Sequence, residues 1–269
     1  MGIKGGYNIS DPLVGEARPI HLPCNSELAM SLSKLKYLPT PVMLLDTQEV
    51  LARLEPQYGP LVCVQRREPV SELVVTILSQ HTSDVNAGRA FDGLMASFES
   101  LEAVAQADVE AVASCIRSGG LAHIKAPRIK AVLNRVLEER GVLNLDFLQE
   151  LPLAEAKAWL TALPGVGPKT AAVVLCFSLG MPAMPVDTHV YRIAKRLGLI
   201  SAKVSADQAH DLLESMVAPE DIYRLHVYLI THGRQVCKAR RPLCDSCALA
   251  DACPTGRERL GISMFPVGR

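Results

Sequence analysis

"LTALPGVGPKTAAVVL", Leu160 to Leu175, ends one apolar helix, turns through Pro-Gly-Val-Gly and opens a second helix at Pro168. Proline suits a first helical turn, where the N–H it lacks would have no intrahelical acceptor. Gly165 and Gly167 permit backbone geometry closed to other residues and let another backbone come close. N–H groups exposed at such a turn, beside a helix N-terminus, suit a phosphate oxygen. A plain helix–turn–helix connection fits the pattern equally well. Lys169 falls in the first turn of the second helix, where a cation opposes the macrodipole. That position favours the free amine of a nucleophile, although a solvated surface lysine is the ordinary case.

Outward from this hairpin, apolar residues keep helical spacing from Pro41 onward. The pattern predicts helices over 44–58, 69–79, 82–98, 100–105, 108–118, 123–139, 145–150, 153–163, 168–179, 187–197, 205–216 and 219–237. Ser71, Asp84 and Asp108 stand at or near helix starts as caps. No alternating strand run and no repeat period stands out, so the expected fold class is all-α. Residues 1–38, rich in Gly, Pro, Ser and Asn, read as an extension that is loosely ordered or packed on the surface.

The 269 residues are 49% hydrophobic and 21% charged, with formal net charge +0. Global basicity therefore announces no nucleic-acid partner, but the field over a binding face can still be positive. No basic segment leads an apolar run at the N-terminus, and the stretch Ala171 to Met184 is too short to span a bilayer. These features predict a soluble, cytoplasmic protein. Four cysteines are scattered, at 24, 63, 115 and 176, while Cys237, Cys244, Cys247 and Cys253 share the loop "CKARRPLCDSCALADACPTG". Four thiolates in one loop can converge on a metal centre. Zinc prefers two close pairs and this loop has a single CxxC, which leans toward iron–sulfur without choosing it.

Three segments together are similar to the endonuclease III family of DNA glycosylases, in the helix–hairpin–helix superfamily. They are the hairpin, "PVDTHVYRIAKRLGL" with Asp187 eighteen residues beyond Lys169, and the cysteine loop. Supporting pieces are "ILSQHTSDVN" (Ile77 to Asn86), "GLAHIKAPRI" (Gly120 to Ile129) and "HVYLITHGRQVC" (His226 to Cys237). The likeness spans roughly residues 70 to 255. It implies two helical domains with the active site in the cleft between them. A six-helix barrel domain with the hairpin would run over 62–184. Residues 39–61 and 185–257 would form a helical iron–sulfur domain, and 258–269 a C-terminal tail. It further implies a 4Fe–4S cluster on Cys237, Cys244, Cys247 and Cys253, structural and DNA-positioning in role.

The resemblance also implies the chemistry. A damaged base would be flipped from double-stranded DNA into the cleft. Lys169 would attack the sugar, and Asp187 would stabilise the developing charge and help move protons, although it could also cap its helix. A Schiff base would then permit β-elimination, making a bifunctional glycosylase and abasic-site lyase for oxidised pyrimidines. A monofunctional uracil or mismatch glycosylase and a non-catalytic DNA-binding protein are the alternatives. The expected DNA contacts are Gly165, Val166 and Gly167 in the hairpin and Lys238, Arg240 and Arg241 in the cysteine loop. Leu121, with Gln80 or His81, would fill the gap left by the flipped base. Lys125 would meet a phosphate or be solvated. The expected molecule is a monomer, associated with the nucleoid in a bacterial cell.

Overall fold

A computed structural model describes residues 45–63 and 67–263. The expected extension over 1–38 lies outside these residues. Among the described residues every regular element is helical and no helix is long and apolar enough to cross a membrane. The α-helices are α1 (Thr47–Tyr58), α2 (Pro69–Ser79), α3 (Asp84–Ser97), α4 (Leu101–Gln106), α5 (Val109–Cys115) and α6 (Ala122–Arg140). They continue as α7 (Leu153–Thr161), α8 (Pro168–Phe177), α9 (Thr188–Leu197), α10 (Ala206–Ser215), α11 (Ile222–Gln235) and α12 (Pro254–Leu260).

Two buried cores organise them. The first takes Leu73, Ile77, Leu78, Leu94, Ile129, Leu133 and Leu160 from α2, α3, α6 and α7, with Ala171, Val174 and Leu175 of α8. The second takes Leu51 and Leu54 of α1, Ile193 and Leu197 of α9, and Leu225, Tyr228 and Leu229 of α11. Cys176 and Phe177, the last residues of α8, belong to this second core. One ten-residue helix is therefore shared, its middle packed in one core and its end in the other. Burial of aliphatic side chains drives both, each contributing about 1.5–3 kcal/mol when fully removed from water.

Capping sharpens the helix starts. Asp108 accepts from the N–H groups of Glu110 and Ala111, as its position predicts. At α2 the cap is Glu68, which accepts from Val70 and Ser71, so Ser71 does not serve. At α3 it is Ser83, one residue before Asp84. The turn over Asp146–Glu150 is a 3-10 helix, tighter than the expected α-helix. The expected tail beginning at 258 starts inside α12, which Gly261 ends in the left-handed conformation with φ 66°. Trp159 sits at the edge of the first core, edge-to-face with Phe147 at 5.2 Å.

Candidate active site and cysteine loop

Between the two cores lies a cavity of about 450 Å³. Residues of α2, α3 and α11 line it, together with Lys169, Val173 and Phe177 of α8 and Asp187 at the start of α9. Lys169 is the second residue of α8, exposed, on a helix whose cap residue Gly167 offers no side-chain bond. The Gly165 and Gly167 N–H groups donate to no acceptor among the described residues, so the hairpin ends in a set of free donors. Val166 differs: its side chain is buried and its N–H donates to Leu163 O at 3.1 Å. Of the three expected hairpin contacts it has neither group to offer a ligand.

Asp187 is the N-cap of α9. Its Oδ1 accepts from the N–H groups of His189 and Val190, both at 2.8 Å. Both bonds fall on one oxygen, which leaves Oδ2 outside the cap. The structure thus brings Lys169 and Asp187 to one cavity, with the carboxylate fixed by its own helix. His189 meets Arg192, whose guanidinium also donates to the carbonyls of Gly233 and Cys237. This arginine ties the start of α9 to the start of the cysteine loop.

Sequence reading gave no place at the site to several other residues of the cavity wall, Asp84 having been read only as a cap. Glu72 is 4% exposed and pairs with Arg67 at 3.2 Å. A glutamate within the otherwise apolar "PVSELVVTIL" was the available signal, because a buried carboxylate must find a partner. Asp84 of α3 and Arg234 of α11 pair at 2.6 Å and join elements of the two cores at the cavity. An exposed pair of this kind contributes about 0–1 kcal/mol, so it sets geometry more than stability.

The two expected gap-filling segments carry the two non-glycine residues with positive φ found among the described residues, His81 at 58° and Leu121 at 51°. Left-handed backbone costs an L-residue about 1–2 kcal/mol. Gln80 and His81 have separate fates. The Gln80 Oε1 accepts from Arg128 Nη1 at 2.6 Å, whereas the His81 side chain is exposed. Leu121 is 50% exposed and Ile124, one turn on, 55%. Lys125 corrects the expectation of a phosphate contact or a solvated chain. It is 2% exposed, and its Nζ donates to Leu78 O at 2.6 Å and Gly119 O at 2.7 Å. Burial lowers its pKa.

Cys237, Cys244, Cys247 and Cys253 line one pocket with Arg196, His232 and Leu249. N–H donors point at two of the sulfurs, and an imidazole nitrogen meets a third. Arg196 Nη1 lies 3.2 Å from Cys237, His232 Nε2 3.4 Å from Cys247, and the Gly256 N–H 3.4 Å from Cys253. Burial, reinforced by the neighbouring cysteines, pushes the Cys247 thiol up to about 11. Four thiolates gathered here need positive charge to offset their repulsion. Among the described residues, no three His, Cys, Asp or Glu side chains close on a single metal ion. Lys238, Arg240 and Arg241 are all exposed on the first arm of the loop.

Residues 74–219 match the model of the HhH-GPD superfamily of base excision DNA repair proteins. Endonuclease III of Escherichia coli is 34% identical over 206 residues, 76% of this chain and 93% of its own length. A protein of Arabidopsis thaliana is 39% identical over 175 residues, 65% of this chain, and this chain spans only 57% of that protein's length. Among solved structures, a non-covalent complex of endonuclease III with DNA is similar at a TM-score of 0.67 and 29% identity. That likeness covers 81% of this chain and 99% of the other.

Proposed function

Because the chain belongs to the endonuclease III family of base-excision-repair DNA glycosylases, we propose that it excises oxidised pyrimidines from double-stranded DNA and then cleaves the abasic site. The observation that carries this reading is the placement of Lys169 and Asp187 on one cavity between the cores.

The Lys169 amine attacks C1′ of the extruded nucleotide as the glycosidic bond breaks, and the bonding pair leaves with the base, which takes a proton. Asp187, anionic and locked by its cap bonds, offsets the positive charge that develops on the sugar. Loss of the Lys169 proton and opening of the sugar give an iminium at C1′. Its electron demand acidifies C2′, whose proton passes to water as the C3′–O bond breaks and its electron pair departs with the 3′ phosphate. Water then returns the lysine. The cavity, lined by α2, α8 and α11, has the volume of a small-ligand site, as a flipped base requires.

The cysteine loop fits a 4Fe–4S cluster. Its donor set is thiolate-only, backed by two N–H groups aimed at sulfur and by the His232 imidazole, and a four-iron cube takes a wider cage than a single ion. Bound there, the cluster would supply a covalent cross-link that shapes the loop. The exposed Lys238, Arg240 and Arg241 would then face the phosphate backbone, as would the hairpin donors of Gly165 and Gly167.

Borohydride trapping on a duplex with one abasic site tests the chemistry. The wild type should give a covalent protein–DNA band and Lys169→Ala none. A wild type that binds the duplex but traps nothing would leave a glycosylase without lyase activity.

A further inference from the structure

Three loops meet the first turns of α6. Lys125 holds two of them, through Leu78 O at the end of α2 and Gly119 O before the Leu121 turn. The positive-φ residues follow closely on these carbonyls, His81 three residues after Leu78 and Leu121 two after Gly119. Arg128, one turn along α6, holds the same α2 loop through Gln80 Oε1. Its guanidinium also lies so close to the hairpin that a Cβ at Gly165 would come within 2.4 Å of its Nε. Two cations on one helix face therefore fix the edges of the α2 loop, the Leu121 turn and the hairpin.

Holding the fold together does not by itself require this arrangement. The residues it stations at the surface are a strained, exposed histidine and a strained, half-exposed leucine, neither of which stabilises a monomer. Apolar side chains held outward are wedges that enter a base stack. Such a wedge acts only if both tips arrive together, because a misplacement of about 1 Å can cost a hundredfold in rate.

We propose that Lys125 and Arg128 are positioning residues that hold His81, Leu121 and the hairpin in register, so that the two tips enter the duplex as a pair when a nucleotide is extruded. Neither cation meets DNA. Lys125 works by joining carbonyls from two loops, which a neutral side chain without N–H donors cannot do. The proposal rests on the glycosylase–lyase reading above.

The test compares the wild type with Lys125→Met, which keeps side-chain length and removes the donors, and Arg128→Ala. Trapping is measured on an abasic site in single-stranded DNA and in duplex. Single strands have no opposite base and no gap to fill, so both variants should stay within about twofold of wild type there, while duplex trapping by Lys125→Met falls about tenfold or more. Arg128→Ala, half-exposed and safe to truncate, should show the same split if Lys125→Met fails to fold. A parallel loss on both substrates, or no loss on duplex, overturns the proposal. A second arm uses a duplex with a non-cleavable tetrahydrofuran site and 2-aminopurine opposite. Wild type should raise its fluorescence and Lys125→Met should not; equal responses overturn the proposal. This arm needs no Schiff base, so a wild type that traps nothing sinks the lyase reading while the fluorescence still decides the role of Lys125.

Discussion

Asp187 caps its helix, and its place at the cavity suits it to the second role proposed above. Its Oδ1 closes the first turn of α9, a contribution of about 1 kcal/mol, and its charge faces the cavity that holds Lys169. Asparagine caps as well as aspartate, so Asp187→Asn should leave the melting temperature near wild type and lower the single-turnover excision rate about a hundredfold. Asp187→Ala should lose both the rate and about 1 kcal/mol of stability in a urea titration. Equal rates for wild type and Asp187→Asn would reduce Asp187 to a cap. Both the capping and the chemical reading of this aspartate were visible in "PVDTHVYR", because a cap signal and a motif are local. Lys125 was not legible. A lysine one turn into a helix reads as solvated, and its two carbonyl partners lie 47 and 6 residues away. Tertiary structure alone brings them together.

Helix identity came readily from apolar periodicity, as α2 shows, with both ends where the pattern puts them. Departures occur where backbone preference is weak. The turn at Asp146–Glu150 tightens to 3-10, and α12 follows the last cysteine at Pro254, beyond the stretch where apolar spacing was regular. The cap of α2 is Glu68, whose carboxylate reaches two N–H groups at once, both at 2.9 Å, whereas Ser71 lies inside the first turn. Helix α10 carries a pH prediction. His210, 5% exposed, bonds through Nδ1 to Met184 O and so anchors the extended run that leads to Asp187. Burial lowers its pKa first; Lys157 adds to this, while the Met184 bond, Asp207 and Asp211 oppose it. Above pH 6.5 the ring is neutral in both states and its contribution is fully present. As pH falls through 6.5 the unfolded chain takes the proton before the folded one, and stability is lost until the lowered folded pKa is passed. Wild type should therefore lose more melting temperature between pH 8 and pH 5 than His210→Gln, by scanning calorimetry. Equal losses would place the acid sensitivity elsewhere.

At the scale of the molecule, two cores share α8, and the chain's single tryptophan, Trp159, packs against only the first. With the proposed cluster bound, removing its iron with a chelator should therefore loosen α9, α11 and α12 while Trp159 fluorescence keeps its urea midpoint. Circular dichroism would lose part of its helical signal earlier. Coincident, unshifted transitions by both probes would mean that the cysteine loop adds nothing to the second core. The two helical cores were foreshadowed by the resemblance that the hairpin, the "VDTH" segment and the cysteine loop carry together. The cavity wall was less so: Glu72 pairs with Arg67 beside it, but Asp84 and Arg234 meet from 150 residues apart. With as many acidic as basic residues overall, and three exposed cations on one short loop, the molecule behaves toward a polyanion as an electric dipole rather than as a counterion. On the proposed reading, undamaged duplex should turn it to the right face without holding it, so its search should proceed by many brief landings, with long dwell only where a base leaves the stack.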